Sequence, residues 1–203
     1  MQIDSIIIVG GGTAGWFTAA ALTTAVLDIK LTLIESKEIP SIGVGESTLG
    51  HINRFFKFLG LRDEDWMKEC DATYKVSIAF KDFYKKETFF QYPFGNISQN
   101  EKRHSYYWFK LNAVYPDKVH SQDFANFINY NANLATYNRL TDIDNELYNF
   151  ENDVAYHFDA EKFAKYLKNN FCTGINHYVS TVENINLNEN GIESIQIDGL
   201  TLK

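Results

Sequence analysis

Near the start of the chain, Gly10-Gly11-Gly12-Thr13-Ala14-Gly15 has the spacing GxGxxG. Gly10 permits a tight turn, Gly12 lets the backbone approach a pyrophosphate, and Gly15 allows a helix to pack closely on a strand. Where a helix opens at Thr13 and Ala14, its free N–H groups and positive end face the phosphates. Glu35 stands twenty residues beyond Gly15, and its carboxylate can accept hydrogen bonds from a ribose diol. Such a set binds an adenine dinucleotide. On these residues alone FAD and NAD remain equally open, because an acid at this position serves either ribose.

The spacing carries weight only between a strand and a helix. Ser5–Val9 is a short, continuous, β-branched run, the pattern of a parallel strand buried on both faces. The Ala-rich stretch from Ala14 to Leu27 reads as the crossover helix, and Lys30–Ile34 as the second parallel strand. No formal charge falls between Asp4 and Asp28, a run long enough to resemble a membrane helix. The glycines at positions 10–12, the interspersed threonines and the lack of a basic leader exclude that reading in favour of a soluble βα unit.

Composition narrows the class further. With 45% hydrophobic and 15% aromatic residues, the 203-residue chain can bury a sizeable core. A net charge of −7 gives it no overall attraction to a phosphate backbone, so nucleic acid is not an expected partner. Cys70 and Cys172 form no CxxC and the five histidines no HExxH, so neither a disulfide framework nor a metal centre is assigned. Two unpaired thiols suit a cytoplasmic protein that also lacks a membrane segment.

Further along, Ile52, Phe55, Phe56 and Leu59 recur at i, i+3, i+4 and i+7, giving a helix with one apolar face that stops at Gly60. From about Tyr84 to Phe150 the chain is rich in Asn, Tyr and Phe without clear period, and reads as an inserted, partly helical subdomain. Asp159 is placed as the N-cap of a helix carrying Phe163, Ala164, Leu167 and Phe171 on one side. Val182–Leu187 and Ile192–Ile197, with turns at Asn190-Gly191 and Asp198-Gly199, predict an antiparallel meander.

Three segments together resemble the flavin-dependent tryptophan halogenases: GGGTAGW at Gly10–Trp16, IPSIGVGEST at Ile39–Thr48 and WMKECDATYKVSIAF at Trp66–Phe80. The resemblance implies an α/β fold: a Rossmann-like FAD-binding domain with a parallel sheet, an antiparallel β-meander and an inserted, partly helical subdomain. Its expected divisions are residues 1–83 for the βαβ unit with flavin strap and Lys75 segment, 84–150 for a substrate-side region, and 151–203 for the return to the FAD domain. Gly10, Gly12, Thr13, Ala14, Gly15, Glu35 and Ser36 would then hold FAD. Ser41–Thr48, including Ile42, Gly45 and Glu46, would form the strap over the flavin.

By the same resemblance Lys75 is the lysine essential for halogenation. Read without it, a lysine close to Lys81, Lys85 and Lys86 is a solvated surface residue. Tyr156-His157-Phe158-Asp159 resembles the segment before the adenine-binding strand, where Val182 would lend backbone contacts. Tyr92-Pro93-Phe94 falls where the family often has His-Pro-Phe lining an indole pocket, so Phe94 would stack on an aromatic substrate, and Tyr92 departs from the pattern.

The implied chemistry is halogenation of a small aromatic, tryptophan- or indole-like substrate, with FAD as FADH2 and with O2 and chloride or bromide as co-substrates. A separate NADH-dependent flavin reductase would supply the reduced cofactor. Hypohalous acid, formed through a flavin hydroperoxide, would be directed by Lys75, whose ammonium can polarise it or form a haloamine; burial would lower the lysine pKa. The family's WxWxIP motif, second flavin-binding segment and catalytic glutamate lie further on, so the chain is expected to be truncated. A catalytically inactive FAD-binding remnant and a flavin monooxygenase stand as alternatives.

Overall fold

A computed structural model describes residues 3–25, 28–38, 45–95, 99–120, 123–145 and 148–203. Strand β1 (Ser5–Val9), helix α1 (Thr13–Ala25) and strand β2 (Lys30–Glu35) come first. They are followed by β3 (Gly45–Ser47), α2 (Ile52–Leu59), α3 (Asp63–Trp66), β4 (Thr73–Lys75), β5 (Ser77–Lys81) and β6 (Phe89–Pro93). Helices α4 (Gln99–Val114), α5 (Phe124–Ile128), α6 (Tyr130–Thr136) and α7 (Phe150–Asp153) lead to β7 (Ala155–Asp159) and α8 (Ala160–Phe171). The chain continues through β8 (Asn176–Val179), β9 (Val182–Asn188), β10 (Gly191–Ile197) and β11 (Leu200–Leu202). It divides into two compact units: Met1–Glu46 with Lys57–Ala72 and Phe158–Lys203, and Ser47–Phe56 with Thr73–His157.

The first unit is built on a parallel sheet in the order β1-β2-β8. β1 and β2 pair from Ser5↔Lys30 to Val9↔Ile34, and β2 and β8 from Thr32↔Asn176 to Glu35↔Val179. Burial on both faces holds for Leu31–Ile34 of β2 but not for β1, whose Ile6–Ile8 are half-buried and whose Val9 is exposed. The physical reason is position: among the described strands β1 has one neighbour and β2 has two.

Helices α1 and α8 pack on each other, with Phe17 and Phe163 rings 5.2 Å apart. Around Phe163, Trp66 and Phe158 complete an aromatic core with centroid distances of 4.9 and 4.7 Å. Asp159 caps α8 by accepting a hydrogen bond from the Lys162 backbone N–H at 2.9 Å, as its sequence position predicts. The antiparallel meander β9-β10-β11 sets Ile195 and Ile197 against Ile34 of the parallel sheet, with Ile7, Tyr178 and Val182 around them. Within the parallel sheet, β8 is the strand that the sequence reading leaves out; its four residues, Asn-His-Tyr-Val, have no apolar run or period to announce it.

In the second unit β5 and β6 form an antiparallel hairpin from Ser77↔Pro93 to Lys81↔Phe89. β4 pairs antiparallel with the start of β7, with Lys75 opposite Ala155. Val76, Tyr148 and Val154 make a buried cluster bordered by Leu134, Ala135 and Phe150. Among the described residues no helix is long and apolar enough to cross a membrane.

Candidate functional site

The glycine turn in the first unit joins β1 to α1. Gly10 has φ of +119°, a conformation that side chains rarely adopt, and its N–H donates to the Ile34 carbonyl at 2.8 Å, tying the turn to β2. A Cβ on Gly15 would overlap the Gly10 carbonyl oxygen, so the close approach of helix to turn requires glycine there. A Cβ on Gly12 would meet nothing within 4 Å, which leaves space beside the backbone for a ligand. α1 begins at Thr13, with Ala14 and Gly15 in its first turn, where N–H groups have no intrahelical acceptor.

Glu35 ends β2 beside this turn, and its side chain lies against Gly11, where a Cβ would overlap the carboxylate. Sequence reasoning gave Gly11 no role; the contact comes from a residue 24 positions away and has no local signal. Ser36 Oγ lies 2.7 Å from Thr181 Oγ1, and Ser180 N–H donates to the Glu35 carbonyl at 2.8 Å. These bonds place Val182, the first residue of β9, next to the end of β2, so Glu35, Ser36 and Val182 are brought together. Gly45 and Glu46 lie in β3. Ile42 and the rest of positions 39–44 lie outside the described residues.

These residues fit a dinucleotide. The turn leaves an open approach at Gly12 and a helix start where phosphates would sit, and Glu35 would be the acceptor for ribose hydroxyls.

Lys75 lies in the second unit, at the end of β4. It is 9% exposed, whereas Lys81, Lys85 and Lys86 are all exposed, so the solvated reading of this lysine does not hold. Its Nζ donates to Ser47 Oγ at 2.8 Å and to the Thr48 carbonyl at 3.0 Å. Thr48 is fixed in turn: its N–H and hydroxyl both donate to the Tyr156 carbonyl, and its hydroxyl accepts from the Tyr156 N–H. Burial pushes the Lys75 pKa below the ordinary lysine value. The neighbouring His157 is also held below its usual value, first by burial and then by the Lys75 charge.

The Phe94 ring lies under the same ammonium, its centroid 5.1 Å from Nζ. Phe94 is buried and held at both ends of its backbone: its N–H donates to the Val76 carbonyl at 2.9 Å, and its carbonyl accepts from Asn131 Nδ2 at 2.9 Å. Tyr92, two residues before it on β6, is 60% exposed. Tyr92 and Phe94 share a cavity of about 680 Å³ with His51, Arg54, Tyr148 and Asp153. Phe94 thus touches the Lys75 ammonium and also lines the cavity that Tyr92 borders, whereas Lys75 is not among the residues lining that cavity. Ser47, Thr48 and Asn131 hold Lys75 and Phe94 in roles the sequence does not announce.

A family model described as tryptophan halogenase matches residues 5–203. The tryptophan 7-halogenase RebH of Lentzea aerocolonigenes is 34% identical over 219 residues, covering 96% of this chain and 39% of that protein. The tryptophan 6-halogenase ThaL of Streptomyces albogriseolus is 35% identical over 188 residues, covering 83% of this chain and 34% of its own length. Among solved structures, the apo structure of VirX1 matches with a TM-score of 0.86 at 41% identity, over 98% of this chain and 40% of that one. A tryptophan C-6 flavin-dependent halogenase from taromycin biosynthesis matches with a TM-score of 0.81 at 31% identity, over 98% and 41%. The chain thus spans less than half the length of these relatives. With an α/β architecture and a family match over nearly all its residues, the chain belongs to the tryptophan halogenase family.

Proposed function

We propose that this chain supplies the dinucleotide-binding turn and the lysine-bearing wall of an FAD-dependent halogenase acting on an aromatic, tryptophan- or indole-like substrate. The observation that carries the reading is the burial of Lys75 between the Ser47 hydroxyl, the Thr48 carbonyl and the Phe94 ring. A surface lysine would have neither the two fixed acceptors nor the aromatic neighbour. Bound FAD, reduced by a separate flavin reductase, would with O2 and chloride or bromide supply the halogen in its oxidised form as hypohalous acid.

The residues of the chain divide the remaining work. Gly12, Thr13, Ala14 and Gly15 seat the pyrophosphate, and Glu35 and Ser36, with the Val182 backbone, receive the adenosine end. Phe94 offers a ring face to the aromatic substrate, and Tyr92 shapes the rim of the cavity. Two of the three Lys75 N–H groups go to Ser47 and Thr48, leaving the third to donate to the oxygen of hypohalous acid. As the aromatic carbon bonds to the halogen, the O–halogen bond breaks and the oxygen takes a proton from the Lys75 ammonium and leaves as water. The ring carbon then loses its proton, which restores the ammonium directly or through water. Aromatic C–H and hypohalous acid become aromatic C–halogen and water.

The test is Lys75→Ala in the complete protein that contains this chain, with reductase, NADH, halide and tryptophan or indole supplied. Halogenated product should disappear while NADH consumption and peroxide release continue, because the lysine acts after the oxidant forms. Retained halogenation would remove Lys75 from the chemistry.

A further inference from the structure

The glycine turn leaves Glu35 bonded to a group outside the GxGxxG pattern. His177 Nε2 lies 2.7 Å from Glu35 Oε1, and Lys168 Nζ lies 3.9 Å from the same oxygen. The contact follows from strand register: Leu33 stands opposite His177 and Glu35 opposite Val179, so the two side chains lie diagonally across the β2–β8 pair on one face. His177 is itself backed by the buried indole of Trp16, edge-on with centroids 5.3 Å apart, and Lys168 lies over that indole at 5.2 Å. β8 and the last turn of α8 therefore reach one oxygen of the carboxylate, with Trp16 of α1 packed behind both side chains. The other oxygen, Oε2, lies over Gly11 and has no hydrogen-bond partner among the described residues.

We propose that His177 is a positioning residue for dinucleotide binding: its Nε2–H donates to Glu35 Oε1 and holds the carboxylate over Gly11, so that Oε2 accepts from the ribose hydroxyls of the adenosine half. A glutamate side chain has three rotatable bonds, and an acceptor already held in place loses less entropy when the ligand arrives. Gly11 is the glycine that makes the held position possible, since any side chain there would displace the carboxylate. The inference rests on the dinucleotide reading above and goes beyond it by assigning the residue that prepares the acid.

The test uses the 203-residue chain titrated calorimetrically with ADP and with 2′,3′-dideoxy-ADP, which lacks the ribose donors. The chain should prefer ADP by roughly tenfold, the size expected of a hydrogen bond to a charged acceptor. In His177→Leu the preference should fall towards one, and His177→Gln, whose amide can still donate to Glu35, should restore most of it. A histidine that only fills space would weaken both nucleotides alike and leave their ratio unchanged, so an unchanged ratio in His177→Leu overturns the proposal. Should that variant not fold, the ¹⁵N resonance of wild-type His177 Nε2 decides: it should move on saturation with ADP and much less with the dideoxy analogue, and equal movement overturns the proposal. A wild-type chain that binds neither nucleotide removes the dinucleotide reading and this inference together, whereas binding of both with no preference removes the Glu35–His177 role alone.

Discussion

The glycine turn and the lysine pocket are assembled over different distances in the sequence. Gly10, Gly12 and Gly15 fall within six residues, and one strand-to-helix connection places all three. Lys75 obtains its surroundings from Ser47 and Thr48 on one side and Phe94 on the other, through β4, β6 and the backbone at Tyr156. A local turn is under steric constraint residue by residue, so its spacing is visible in the chain. A pocket built from distant strands needs only that each side chain arrive at the right place, and many sequences satisfy that.

The largest effect is expected from removing what supports the turn rather than the turn itself. Phe163 is fully buried between Trp66, Phe158 and Phe17. Phe163→Ala should cost roughly 3 to 5 kcal/mol through lost burial and the cavity left behind. Chemical denaturation should show the loss, and FAD affinity should fall with it because α8 no longer holds α1. A variant of unchanged stability would mean that the aromatic core does not carry the unit.

A second, smaller effect separates the glycines from each other. Gly15→Ala drives a Cβ into the Gly10 carbonyl and should destabilise the fold by about 1 to 3 kcal/mol, as overpacking does. Gly12→Leu points its side chain into open space, so the thermal midpoint should hardly move while FAD binding is lost. Equal losses of stability in both would contradict the division of labour between packing and ligand approach. Thermal unfolding with and without FAD measures both quantities in one experiment.

How much of this was legible in the chain follows from the same difference. β1, α1, β2, the Asp159 cap and the meander carry local signals, an apolar run, a capping residue or an Asn-Gly turn, and the structure has each of them. β8 does not, and with it His177 was missed, since its bond to Glu35 spans 142 residues and depends on strand register. The incomplete burial of β1 has a similar reason: an apolar run says that a strand can be buried, while the number of neighbours decides whether it is. Lys75 was singled out only through a family resemblance; no spacing in the chain distinguishes it from Lys81 or Lys85. Its burial depends on Ser47, Thr48 and Phe94, and no rule of local sequence joins those positions.

The smallest expected effect is a difference in slope. Burial holds the folded-state pKa of Lys75 below that of an unfolded lysine, which titrates near ~10.4. Between those two values the unfolded chain binds more protons than the folded one, so stability rises with pH through that window. Below it both states carry the charge and the cost of burying the ammonium is present in full. Above it both states are neutral and that cost is gone. Lys75→Met keeps a similar volume without the charge, and its stability should lack this rise, while cysteines, tyrosines and other lysines titrate alike in both proteins. Urea midpoints measured from pH 7 to 11 should therefore show wild type gaining on Lys75→Met as the pH increases. A gap that stays flat, or that narrows in the opposite sense, would mean that the bonds to Ser47 and Thr48 outweigh the burial, and that Lys75 keeps its proton at least as firmly as a lysine in water.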